Sequence, residues 1–312
     1  MTAKQKITQK ALEIGFSKIG FADSKPLDNE SERLSEWLGR GYHGSMEWME
    51  RSGSKRRDPT EVLQGSRTVI SLALNYYTDP QHTDEAGTGK ISRYAWGDDY
   101  HDIITTMLKR LWTWMQAEFP GADGRYYVDT GPVMEKVWAQ RAGLGWIGKH
   151  TNLITQDMGS WVFLAEILTT LQVDPDQPGT DHCGTCTLCI EACPTGAIAE
   201  PYVVDSNRCI SYLTIEHRGD FPRELPFEGW IYGCDICQDV CPWNERFAVP
   251  TPDTRFQPRE GNTAVPLADW AEMNQEEFSR QFKASPVKRT KKDGLIRNIG
   301  TVLNQQSQKD TE

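Results

Sequence analysis

No apolar run among these 312 residues approaches the roughly 20 needed for a helix to span a bilayer. No apolar core follows the opening Met1-Thr-Ala-Lys4-Gln-Lys6, so neither a membrane span nor an export signal is expected, and the expected setting is cytoplasmic. Positive charge is also scarce: 34 Lys and Arg stand against 44 Asp and Glu, a net charge of -10. Overall charge therefore excludes nonspecific nucleic-acid binding, with one local exception at Lys288-Arg289-Thr-Lys291-Lys292-Asp-Gly-Leu-Ile-Arg297. Cysteine is absent outside residues 183–241, and no internal repeat is found except within that stretch. What remains is an ordinary globular composition, 38% hydrophobic with mean hydropathy -0.59, and length enough for two domains.

All eight cysteines lie in the one stretch. Cys183-Gly-Thr-Cys186-Thr-Leu-Cys189-Ile-Glu-Ala-Cys193-Pro194 is the C-x2-C-x2-C-x3-C-P run that holds a [4Fe–4S] cluster, and after Cys209 its end is repeated in Cys234-Asp-Ile-Cys237-Gln-Asp-Val-Cys241-Pro242. Three closely spaced thiolates converge on one cube while the cysteine before proline points to the neighbouring one. This assigns Cys183, Cys186, Cys189 and Cys241 to one cluster, and Cys209, Cys234, Cys237 and Cys193 to the other. Zinc is the weaker alternative, because the first run supplies more thiolates than one tetrahedral site accepts. Disulfides suit short secreted chains instead.

Before the cysteines, helical and strand patterns alternate to about residue 172, which predicts an α/β or α+β layer domain. Residues 68–75 read as a buried strand. Residues 99–119 form the longest helical pattern, with Ile103, Ile104, Met107, Leu108, Leu111, Trp112 and Met115 on one face. Residues 152–155 and 161–168 read as strands paired across Asp157-Met158-Gly159. The composition of residues 173–180 is that of a linker, and short helices are expected at 267–273 and 275–282 before a polar C-terminus.

Gly143-Leu-Gly145-Trp-Ile-Gly148 matches G-x-G-x-x-G in reversed context, with a helix before it and a strand after it. It is read as a helix end and tight turn rather than a dinucleotide site. Asp129, in Val128-Asp129-Thr-Gly-Pro132, is either a helix-capping residue or an acid at a strand end, where α/β sheets present catalytic groups. In the second case burial behind Tyr126, Tyr127 and Val128 would raise its pKa towards that of a proton donor. Ser92-Arg93-Tyr-Ala-Trp-Gly-Asp-Asp99-Tyr100-His101 is either an aromatic core edge or the wall of a large, flat cofactor site.

These stretches, with Ala142 to Lys149, Arg208 to Arg218 and Tyr232 to Trp243, run in the order seen in epoxyqueuosine reductases, and between about residues 55 and 247 the sequence resembles that family. The resemblance implies an α/β (α+β) cobalamin-binding domain over 1–172, a bacterial ferredoxin-like domain with two [4Fe–4S] clusters over 180–247, and a short helical extension over 248–312. It implies reduction of epoxyqueuosine in the anticodon of a tRNA, with an external electron donor of flavodoxin or ferredoxin type and no membrane. By similarity Asp129 is the proton donor, and Arg57, Arg93, Asp129, His150, Ser160, Ser211 and Asp235 line the corrinoid. His150 stands where relatives often have asparagine. The D-x-H-x-x-G signature of a lower cobalt ligand is absent around His101. Many relatives continue into HEAT-like repeats, whereas this sequence stops soon after Asn298. Residues 288–297, Arg218 and Arg223 are then the candidate phosphate contacts. The alternatives are a corrinoid reductase of a small molecule and a ferredoxin-type electron carrier.

Overall fold

The structure, a computed structural model, describes residues 1–309; the last residues of the polar C-terminus, 310–312, lie outside the described residues. In chain order the strands are β1 (Lys18–Asp23), β2 (Thr68–Asn75), β3 (Thr88–Ile91), β4 (Gly124–Tyr127), β5 (Trp146–Ile147), β6 (Leu153–Ile154), β7 (Val162–Thr169), β8 (Ile198–Glu200), β9 (Val203–Val204), β10 (Trp230–Tyr232) and β11 (Val265–Pro266). Every residue of β2 is buried, as its β-branched and apolar run requires. It lies between β1 and β7 in a four-stranded sheet ordered β1-β2-β7-β4.

All three pairings in that sheet are antiparallel, so the layer is α+β rather than a parallel α/β sheet. One face is covered by helices Ala3–Ile14 and Tyr100–Glu118, whose Ile7, Met107, Leu111 and Met115 pack on Phe21, Ile70 and Ile167. The other is covered by helix Glu135–Arg141 through Trp138 and Ala139 against Val69, Ala73 and Leu168. The Asp99 side chain caps the long helix by accepting from His101 N at 3.0 Å.

Strand β7 does not pair with residues 152–155 as the sequence suggested. Its buried, two-faced character places it between β2 and β4, while β6 pairs with β5. Only the bridge Thr155 to Gly159 survives of the expected hairpin. The glycines of residues 143–148 serve this small hairpin. Gly143 ends the helix at φ +75°, and a Cβ on Gly145 would lie 2.0 Å from Ile154 O.

A second sheet, ordered β10-β3-β11, takes one strand from each of the three segments distinguished in the sequence. The basic segment 288–297 runs into the helix Lys291–Lys309, whose Leu295, Ile299 and Val302 are buried against Trp230, Ile231 and Tyr232. No helix among the described residues is long and apolar enough to cross a membrane.

Candidate active site

A cleft of about 1700 Å³ opens between the four-stranded sheet and the cysteine-rich segment. One wall carries Tyr100, His101 and Asp129, and the opposite wall carries Cys193, Cys209, Cys234 and Cys237, with His150 and Ser211 also on the lining. Asp129 stands just beyond the edge strand β4, at φ +56°, a left-handed conformation that is uncommon for a residue with a Cβ. Its backbone N donates to Glu135 Oε1 at 2.5 Å.

The Asp129 carboxylate meets a charged imidazole. His101 Nδ1 lies 2.7 Å from Asp99 Oδ1, and Nε2 lies 3.2 Å from Asp129 Oδ2. Burial pushes the His101 pKa down, but the hydrogen bonds and charges of Asp129 and Asp99 outweigh it and raise the value to about 9. For Asp129, burial in the cleft pushes the pKa up, yet the pairing with His101 and a hydrogen bond from Tyr100 bring it below the ordinary carboxylate value. The sequence-based expectation that burial raises this pKa is therefore corrected. At neutral pH the proton resides on the imidazole side of an Asp129–His101 pair. Both His101 nitrogens are engaged, which leaves neither free to ligate a metal.

The other residues expected around a corrinoid divide into two groups. His150 is buried; its Nδ1 accepts from Asn152 N at 3.1 Å, while Nε2 has no partner among the described residues. Burial, with Lys136 nearby, lowers its pKa to about 4, so this ring faces the cleft neutral and with one nitrogen to offer. Ser211 lies on the same lining, on helix Ile210–Ile215.

Arg57, Arg93, Ser160 and Asp235 are not brought to the cleft lining. Arg57 is on the surface, paired with Asp28 at 2.8 Å. Arg93 is buried, donates to Thr78 O and Pro80 O, and lies against Trp96. Asp235 is sealed at 0% exposure, accepting from Ser92 Oγ and from Arg93 N. Ser160 Oγ accepts from Gln238 and Asn244, each at 2.9 Å. These last three residues join the cysteine-rich segment to the sheet domain. Lys136, whose ammonium donates to Asn152 Oδ1 at 3.1 Å, and Glu135 line the cleft and were not singled out from the sequence. Their adjacency to the Asp129 loop was the available signal.

The cysteines are mutual neighbours, Cys189 with Cys241, Cys183 and Cys186, and Cys237 with Cys209, Cys193 and also Cys189. Cys189 is raised to about 11, by burial first and then by the charges of Cys241, Cys183 and Cys186. Burial raises Cys237 as well, with Cys209 and Cys193 as the nearest like charges, and Cys234 is raised by burial and Cys237. Thiols that resist ionisation collectively are suited to a polycationic iron–sulfur core, which supplies the missing counter-charge. Lys149 Nζ braces the first group by donating to Gly184 O and Cys186 O at 2.7 and 2.8 Å.

The cleft mouth is basic despite the acidic whole. Arg51, Arg56, Lys288, Arg289 and Lys291 line it, and Arg289 lies 5.7 Å over the ring of the exposed Trp48. Arg297 instead turns inward, donating to Leu213 O, His217 O and Gly219 O. Arg218 is occupied with Ile215 O and Arg289 O, and Arg223 is exposed.

A sheet domain with an acid–base pair facing a cysteine-rich cluster module defines an iron–sulfur oxidoreductase. Comparisons with known proteins agree. Residues 56–130 match the family described as "Epoxyqueuosine reductase QueG, DUF1730", and residues 182–244 match "4Fe-4S double cluster binding domain". The epoxyqueuosine reductase of Synechocystis sp. is 50% identical over 90% of this chain and 98% of its own. That of Cellulophaga algicola is 46% identical over 96% and 99%. A crystal structure of epoxyqueuosine reductase with a tRNA-Tyr epoxyqueuosine-modified stem loop superposes with TM-score 0.91 at 31% identity, covering 97% of this chain and 81% of the other. A Bacillus subtilis epoxyqueuosine reductase, described with its catalytic aspartate loop swung out of the active site, superposes with TM-score 0.88 at 30% identity and the same coverage. The chain belongs to the epoxyqueuosine reductase family.

Proposed function

We propose that the protein reduces epoxyqueuosine to queuosine at the wobble position of tRNA, using cobalamin fed by two [4Fe–4S] clusters. The observation that carries this reading is the cleft itself, which sets a proton-holding pair opposite cysteines suited to hold a cluster. The volume of the cleft and the unpartnered Nε2 of the neutral, buried His150 fit a large cofactor with polar side groups. His150 and Ser211 are the residues proposed to hold it. Arg57, Arg93, Ser160 and Asp235, expected from the family resemblance, act at the surface or at the seam between segments. Bound cobalamin would supply a strongly reducing cobalt centre.

The chain's own part is to bind, orient and protonate. Cys183, Cys186, Cys189 and Cys241 hold the outer cluster in this reading; Cys193, Cys209, Cys234 and Cys237 hold the inner one beside the cleft. Removing an epoxide oxygen as water consumes two protons. His101, kept charged by Asp99 and Asp129, holds one of them at the Asp129 carboxylate, and Asp129 passes it to the leaving oxygen. The basic rim meets the phosphates of the anticodon loop, and exposed Trp48 offers a face on which an unpaired base can stack. The electrons come from an external carrier of flavodoxin or ferredoxin type, in a cytoplasmic setting.

A nucleoside digest of tRNA from cells lacking the protein tests this directly. Accumulated epoxyqueuosine, reversed by the wild-type gene, is the expected result; unchanged queuosine would remove the assignment.

A further inference from the structure

We propose that Glu135 is a positioning residue for the reaction, steadied by a carboxyl–carboxyl hydrogen bond to Glu166 and clamping the Asp129 backbone in the cleft. The proposal builds on the role given above to Asp129, and its observations lie behind that residue. Asp129 occupies a left-handed conformation at φ +56° that needs external support. The support is a hydrogen bond of 2.5 Å from its N–H to Glu135 Oε1. A second brace holds the far end of the loop, where Arg56 Nη1 donates to Val133 O at 3.1 Å.

Glu166 projects from β7 and is 0% exposed. Its Oε1 accepts from the buried Ser71 hydroxyl at 3.2 Å, and its Oε2 receives no donor from the described residues. The Glu135 carboxyl stands in hydrogen-bonding contact with it. Two carboxyls in contact, one of them sealed from water, cannot both be ionised. With at least one proton between them, the pair is joined by a hydrogen bond that fixes Glu135 and leaves its other oxygen for the Asp129 N–H.

The groups facing Glu135 do not remove this constraint. Asp129 and Tyr100 add negative charge or a phenol, while Lys136 and Arg56 add positive charge from the cleft wall, with His101 beyond Asp129. Burial and then the neighbouring Asp129 charge push the Glu135 pKa up to about 8, and burial with Glu135 pushes Glu166 well up. Because both shifts are upward, the hydrogen bond between the two carboxyls is present below about 8, and ionisation of Glu135 above it leaves the Glu166 proton in place to hold the pair.

The test uses the cluster-reconstituted protein. Hydrogen exchange over residues 129–134, measured without RNA, is compared with turnover of an epoxyqueuosine stem loop from pH 6 to 10. Glu135→Ala is expected to abolish the exchange protection and lower kcat by up to about 100-fold, the scale of a roughly 1 Å misplacement, with KM for the stem loop unchanged. Glu135→Gln can accept from Asp129 N–H and donate to Glu166, so it restores protection and kcat. Glu166→Gln, which donates to Glu135 without a titrating proton, also keeps the protection and covers the case in which Glu135→Ala fails to fold. Wild-type protection in Glu135→Ala overturns the proposal, as does loss of protection in both glutamine variants. Absence of turnover in the wild type would defeat the functional reading instead, and the exchange data would still decide the clamp.

Discussion

Replacing Asp99 with Asn separates the two carboxylates that hold His101 charged. Raising the imidazole from 6.5 to about 9 corresponds to ~3 kcal/mol in favour of the charged form, against the opposing effect of burial. Asp129 and Asp99 both raise it; Asp99 is the less exposed of the two, at 24% against 59%, and the nearer, at 2.7 Å against 3.2 Å, so its loss removes a substantial share. Asp99→Asn should therefore bring the His101 pKa down to roughly 6.5 to 8. Helix Tyr100–Glu118 should be little affected, because asparagine caps about as well as aspartate. The sign follows from the upward shift: the pair's contribution to stability is complete below 6.5 and disappears as pH rises through about 9. In the variant that loss should move to lower pH. The assay is a histidine-selective 15N NMR titration, with His101→Gln identifying the relevant one of six histidines. A His101 that still titrates near 9 in Asp99→Asn would refute the assignment of charge to this pair.

Asp129→Asn should abolish turnover while iron content stays at the wild-type level; unimpaired turnover would take Asp129 out of the proton-transfer role. Cys186→Ser and Cys237→Ser fall in different thiol groups, so each should lower bound iron from about eight to about four per chain, as read by iron analysis. Removing both in one variant should remove nearly all of it. Arg289→Ala and Lys288→Ala should each weaken stem-loop binding and reduce the slope of log affinity against log salt by about 1. Arg297→Ala should instead lower the melting temperature, because Arg297 serves buried carbonyls rather than the cleft rim.

How much of this was legible in the sequence depends on the range over which each feature is determined. The cysteine spacing is a local constraint, since a loop that must present three thiolates to one cube leaves few alternatives. In the folded chain Cys189 has Cys241, Cys183 and Cys186 as neighbours, and Cys237 has Cys209, Cys193 and Cys189. The long helix was likewise carried by its own apolar face and its Asp99 cap. Strand direction is a long-range property. Alternating helices and strands left α/β and α+β both open, and the antiparallel pairing of β1, β2, β7 and β4, through partners up to about a hundred residues apart, decides for α+β. The expected cofactor contacts are set over a longer range as well. Ser160 and Asp235 are themselves enclosed by hydrogen bonds, while Cys234, Ile236, Cys237 and Gln238 beside them line the cleft.

Asp129 shows most clearly what sequence reasoning omits. Its apolar neighbours Tyr126, Tyr127 and Val128 argued for a raised pKa, and burial does push it upward. The deciding group, His101, lies 28 residues away in sequence and reaches Asp129 only because the long helix begins beside the end of β4. Its charge is set in turn by Asp99, the residue that caps that helix. One aspartate therefore starts the helix through His101 N and keeps the imidazole protonated through Nδ1. A hydrogen bond that looks structural in the sequence is, in the folded protein, also what keeps a proton available at the cleft wall. That coupling predicts that an aspartate-to-asparagine change will leave the helix intact while altering the chemistry, which a capping role alone would not.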